Sequence, residues 1–109
     1  MTDPPIRQIS APELKAMMND GAAFELVDVR TPAEREIAAL PNSRLLDRDY
    51  HDELLSRSRD TPIVFQCHHG MRSQAAAEYF HQHGFTELYN LHGGIDAWSA
   101  SVDPSVPRY

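Results

Sequence analysis

The stretch Ile63-Val64-Phe65-Gln66-Cys67-His68-His69-Gly70-Met71-Arg72-Ser73 decides the reading of this chain. Asp60-Thr61-Pro62 in front of it is a turn, and Ile63 to Phe65 is a short apolar run with the length and branching of a buried strand. Ser73 is placed to cap a helix, because Ala76, Tyr79, Phe80 and His83 then follow at helical spacing and Gly84 can end it. Between strand and helix lies a loop that carries the only cysteine of the chain.

The same alternation continues in both directions. Upstream, Ile6 to Ile9 reads as an edge strand. Ser10 and Glu13 form a capping box for a helix with Leu14, Met17 and Met18 on one face, ended by Gly21. Phe24 to Val29 reads as a buried strand, and Thr31-Pro32-Ala33-Glu34 is a second capping box opening a short helix that Pro41 and Asn42 break. Arg44 to Leu46 is a further short strand. Tyr50, Leu54 and Leu55 give one apolar face to an otherwise charged helix. Downstream come a strand over Leu88 to Leu91, a turn at Gly93-Gly94 and a helix from Ile95 to Ser99. Strands alternating with helical segments predict an α/β fold with a mostly parallel sheet. The prolines of the tail, about residues 101–109, predict an extended strap or a frayed end.

With 109 residues the chain fits a single domain. Its net charge of -6 argues against nucleic acid as the main partner, which needs a basic face, and against an anionic membrane surface, so neither is expected as a partner. A local cluster of amides can still hold a small anion. One cysteine forbids an internal disulfide. The opening Met-Thr-Asp-Pro-Pro has no secretory pattern and no apolar run is long enough to span a membrane, so a cytoplasmic location is expected.

A loop between a strand end and a helix start turns successive N–H groups inward, and the helix terminus adds donors with partial positive charge. Cys67 in such a loop, beside Arg72, is expected to ionise easily. Ionisation alone does not explain the arrangement. A fall of about two pH units raises the thiolate fraction at neutral pH about 25-fold, while the weaker nucleophilicity of the thiolate costs roughly 6- to 10-fold. The net gain is only about threefold, so the larger value of the amides lies in holding an anionic donor and a charged sulfur attached to Cys67.

Cys67-x-x-Gly70-x-Arg72-Ser73 after an apolar strand resembles the active-site loop of rhodanese-type sulfurtransferases. Leu26-Val27-Asp28-Val29-Arg30 with Pro32 and Glu34 resembles a first signature of that family, and Asn90 to Trp98 a C-terminal one. The resemblance runs from about Ile6 to Ser99. It implies a rhodanese-like fold, a twisted parallel five-stranded sheet with helices on both faces. It also implies a persulfide on Cys67 loaded from thiosulfate or another persulfide donor and passed to cyanide, a thiol or a protein acceptor. On this reading Cys67 is catalytic, and His68, His69, Gly70, Met71, Arg72 and Ser73 form the binding loop. No cofactor or metal is expected.

Asp28 and Arg30 are read either as an ion pair fixing adjacent loops or as support for the loop from behind. Four residues separate Cys67 from Arg72, one fewer than in related phosphatases, which speaks against a phosphatase or arsenate reductase on the same scaffold. A non-catalytic binding module is the other alternative, and the intact cysteine speaks against it. The sequence departs from the family pattern at Ala39, where a histidine is usual, and this is read as a change in local packing.

Overall fold

The computed structural model describes residues 5–109; residues 1–4, most of the segment read for a secretory leader, lie outside the described residues. Five strands and five helices alternate. They are β1 (Ile6–Ile9), α1 (Ala11–Asn19), β2 (Glu25–Asp28), α2 (Pro32–Ile37) and β3 (Arg44–Leu45). Then follow α3 (Arg48–Leu55), β4 (Ile63–Gln66), α4 (Met71–Gln82), β5 (Leu88–Leu91) and α5 (Gly94–Ser101). The strands form one sheet in the order β1-β5-β4-β2-β3, parallel throughout. All strand ends therefore point one way, and β4, carrying Cys67 just beyond it, sits in the centre.

Period-two alternation distributes the core over both faces. Val27, Ile63 and Phe65 pack with Tyr50 and Leu54 of α3 and Ala77 and Phe80 of α4. Leu26, Val64 and Leu91 pack with Leu14 of α1 and Ile95 and Trp98 of α5 on the other. The expected α/β architecture with helices on both faces is present. Both capping boxes form: Ser10 accepts from the Glu13 amide, Thr31 from the Glu34 amide, and each glutamate reaches back. No helix among the described residues is long and apolar enough to cross a membrane.

Three expectations need correction. Ser73 does not cap α4. Gly70 is the cap residue, at φ 102°, and Ser73 lies inside the first turn with its side chain buried. A Cβ at Gly70 would press on the Leu91 carbonyl and the Gly93 amide at 3.2 and 3.3 Å, so the chain turns there on glycine. Ala39 is exposed and belongs to neither core cluster, so its departure from the family pattern is not a packing change. The helix read over Ile95 to Ser99 is longer at both ends. Of the two readings of the tail, a strap or a frayed end, the strap is the one present.

Candidate active site

Cys67 lies at the C-terminal end of the central strand, where an open parallel sheet leaves a crevice between diverging connections. The thiol is almost fully buried, 1% exposed, yet its surroundings are polar. The Gly70 amide donates to Sγ at 3.1 Å and the Ser73 amide at 3.4 Å, while the Ser73 hydroxyl lies 3.3 Å away. The geometry follows from α4 starting at Gly70: the first N–H groups of a helix have no partner within it, and here they close on the sulfur. Burial pushes the Cys67 thiol up. A Ser73 hydroxyl proton, whenever it is directed at sulfur, and the Ser73, Gly70 and His69 amides pull it down, and the balance falls below the ordinary thiol value.

The loop is braced from the next connection. The amides of Ile95 and Asp96, at the start of α5, donate to the carbonyls of Cys67 and His68 at 2.8 and 3.2 Å. A Cβ at Gly94 would overlap those two carbonyls, so the turn can approach only as glycine, at φ 62°. Loop N–H groups thus face sulfur while loop carbonyls are held by α5.

Arg72 does not stand as a free cation beside the thiol. Its guanidinium makes two hydrogen bonds to Glu34, at 2.7 and 3.0 Å, and the pair lies partly in solvent. Glu34 is the glutamate of the second capping box, so one carboxylate caps α2 and neutralises Arg72. Arg72 and the Tyr109 hydroxyl hold the Glu34 carboxyl well below the usual carboxylate range. Asp28 and Arg30 form a fully buried ion pair at 2.8 Å, and Arg35 adds a second contact to Asp28 at 3.0 Å. Arg30 also reaches the Ala38 carbonyl and the Tyr109 hydroxyl. Among the described residues neither Asp28 nor Arg30 hydrogen-bonds to the Cys67 loop. Arg30 is linked to it through Tyr109, stacked on His68, and through Glu34, whose carbonyl accepts from Arg30 and whose carboxylate holds Arg72.

Tyr109 was not singled out by the sequence. Its ring stacks on His68 at 3.9 Å, its hydroxyl joins Arg30 and Glu34, and Arg108 grips Asp96 with two bonds near 3.0 Å. The strap is thereby tied to α2, α5 and the loop at once. His69 stacks on the other side of His68, also at 3.9 Å. His68, His69 and the Asp96 carboxylate come together with one ligand atom each within 4.8 Å of the others. Ring lone pairs lie in the ring plane, and two rings stacked 29° from parallel direct them side by side rather than at one point. Arg108 already occupies Asp96. The cluster is a stack holding the strap more than a set of converging ligands.

A cavity of about 360 Å³ opens on the outer side of the loop, lined by Gln8, Gln74, Asn90, His92 and residues 69–71. Met71, one of its walls, is largely exposed. Cys67 is not among its walls, so this space flanks the thiol instead of facing it.

Residues 10–101 match the family model of the rhodanese-like domain. The thiosulfate sulfurtransferase GlpE of Stutzerimonas stutzeri is 36% identical over 107 residues, covering 97% of this chain and 94% of that protein. The rhodanese-like/PpiC domain-containing protein 12, chloroplastic, of Arabidopsis thaliana is 36% identical over 115 residues, and this chain spans 38% of its length. A crystal structure of a rhodanese-like domain protein from Staphylococcus aureus superposes with a TM-score of 0.75 at 29% identity, covering 94% of this chain and 98% of that one.

Proposed function

The chain belongs to the rhodanese-like domain family, and on that premise we propose that it is a sulfurtransferase carrying a persulfide on Cys67. The observation that carries the reading is the pair of amides, Gly70 and Ser73, directed at Sγ from the start of α4. The Cys67 thiolate attacks the outer sulfur of a sulfane donor; a Cys67 S–S bond forms, the donor's S–S bond breaks, and sulfite or a thiolate leaves with the electron pair. An acceptor such as cyanide or a thiolate then attacks the outer sulfur, and Cys67 leaves as the thiolate. No net oxidation occurs. The loop amides hold the negative charge at each stage, when it lies on Sγ and when it lies on the added sulfur. Cysteine ionisation is electrostatic, so no general base is required.

The Arg72–Glu34 pair bears on the donor. Thiosulfate is a dianion, and the loop's own arginine, Arg72, already has its counter-charge. A donor with less charge, a low-molecular-weight or protein persulfide, suits such a loop better than thiosulfate does. The test is intact mass spectrometry after incubation with a persulfide donor or thiosulfate, then with cyanide. One added sulfur on the wild type, removed by cyanide and absent in Cys67→Ala, is the expected result. No adduct with any sulfane donor would refute the reading and leave the fold to a non-catalytic role.

A further inference from the structure

Ser73 has one hydroxyl proton and two acceptors within reach, Cys67 Sγ at 3.3 Å and Asn90 Oδ1 at 2.5 Å. Neighbours with a fixed hydrogen-bonding direction decide between them. Asn90 Nδ2 lies 3.1 Å from the Gly70 carbonyl, a group that can only accept. That contact orients the amide so that Oδ1 faces Ser73. The second Nδ2 proton goes to Gln8 Oε1 at 2.9 Å, Gln8 Nε2 donates to Gln74 Oε1 at 2.6 Å, and Gln74 Nε2 donates to the Glu78 carboxylate at 3.2 Å. The chain therefore has an acceptor fixed at each end, and a flipped Asn90 would set two carbonyl oxygens against each other. Asn90 takes the Ser73 proton. The lone pairs of Ser73 Oγ then face the sulfur, where they can accept from a thiol S–H and oppose a thiolate.

We propose that Asn90 is a positioning residue that withholds the Ser73 hydroxyl proton from Cys67, so that at rest Ser73 favours the thiol and only the loop amides favour the anion. The Ser73 contact helps the anion only after its proton turns to sulfur, which leaves Asn90 Oδ1, buried on β5, without its donor. The assignment goes beyond the sulfurtransferase reading and concerns the ionisation of Cys67 whatever the sulfur carries. The charged and titratable groups around the loop are Arg72 on α4, Asp28 at the end of β2 and Arg30 just after it, Glu34 on α2 and Asp96 on α5. His68, His69 and His92 lie in the loops, and Tyr109 in the strap. Asn90 and Ser73 are neutral, so replacing them leaves that charge pattern in place.

The test is the pH dependence of iodoacetamide alkylation in the wild type, Ser73→Ala, Asn90→Ala and the double variant. No sulfur donor is involved, so its failure is distinguishable from failure of the sulfur-transfer reading. Ser73→Ala in the wild-type background should move the alkylation midpoint to lower pH and raise the rate below that midpoint about threefold, the scale of one modest hydrogen bond. Asn90→Ala should also raise it, because the freed hydroxyl turns to sulfur. In the Asn90→Ala background, Ser73→Ala should lower it. The sign of the serine effect inverts, which loss of structure alone would not produce. A fall or no change on Ser73→Ala in the wild-type background overturns the proposal, and that single variant decides the matter even if Asn90→Ala fails to fold.

Discussion

Two neighbouring strand-to-helix connections spend their amides differently. The one after β4 directs the Gly70 and Ser73 amides at a side chain, Cys67 Sγ; the one after β5 directs the Ile95 and Asp96 amides at a backbone, the carbonyls of Cys67 and His68. Both use a helix start and a glycine with positive φ. The first makes a site and the second makes the shape of that site. The difference teaches that the donors around the sulfur are held from outside their own loop, because a bare turn of backbone would not keep N–H groups aimed at an anion against their competition for water.

Breaking the bracing connection should therefore cost more than altering the loop it braces. Gly94→Ala puts a Cβ into two backbone carbonyls that cannot move without moving Cys67. A cost of about 3 kcal/mol or more is expected, seen as a melting-temperature drop of roughly 10 °C or more, with a rise in the Cys67 alkylation midpoint as the loop amides lose their aim. Gly70→Ala meets looser contacts at 3.2 and 3.3 Å but must hold φ near 102°. Its expected cost is about 1–3 kcal/mol, with a rise in the Cys67 alkylation midpoint as the Gly70 amide turns away. If Gly70→Ala proved the more damaging to stability, the two connections would not divide their work as described.

Much of this was legible in the sequence. The apolar run into Cys67, the two capping boxes and the alternation of strands and helices sufficed for the sheet, because those signals are local. Ser73 was misplaced as a cap because the serine fits that role by type, and only the close approach of Leu91 and Gly93 makes Gly70 the point where the helix starts. The Glu34–Arg72 pair, the Ser73–Asn90 contact and the Asp96–Arg108 pair join residues that are far apart in the chain or in different elements, and no spacing rule announces them. The strap was half-readable: its prolines exclude a helix, but Tyr109 finding His68, Arg30 and Glu34 depends on the finished fold.

The smallest effect concerns that strap. Glu34 is held below the usual carboxylate range in the folded chain by Arg72 and Tyr109. A lowered folded value means stability that is present above the unfolded value near 4.3 and lost as pH falls through the folded value. Because Arg72 is half-exposed, the contribution is at most about 1 kcal/mol. Glu34→Gln should lower stability near pH 7 by that amount and flatten its decline in acid, read from thermal melts across pH. It should also free Arg72, and so increase loading of Cys67 by thiosulfate relative to a less charged persulfide donor.

The most direct measurement is the thiolate absorbance of the wild type against pH, with Cys67→Ala subtracted, which reads ionisation without asking a reagent to reach a buried sulfur. The account predicts a single step with its midpoint below the ordinary cysteine value of about 8.5. A midpoint at or above that value would mean that burial outweighs the Gly70, Ser73 and His69 amides, and would contradict it.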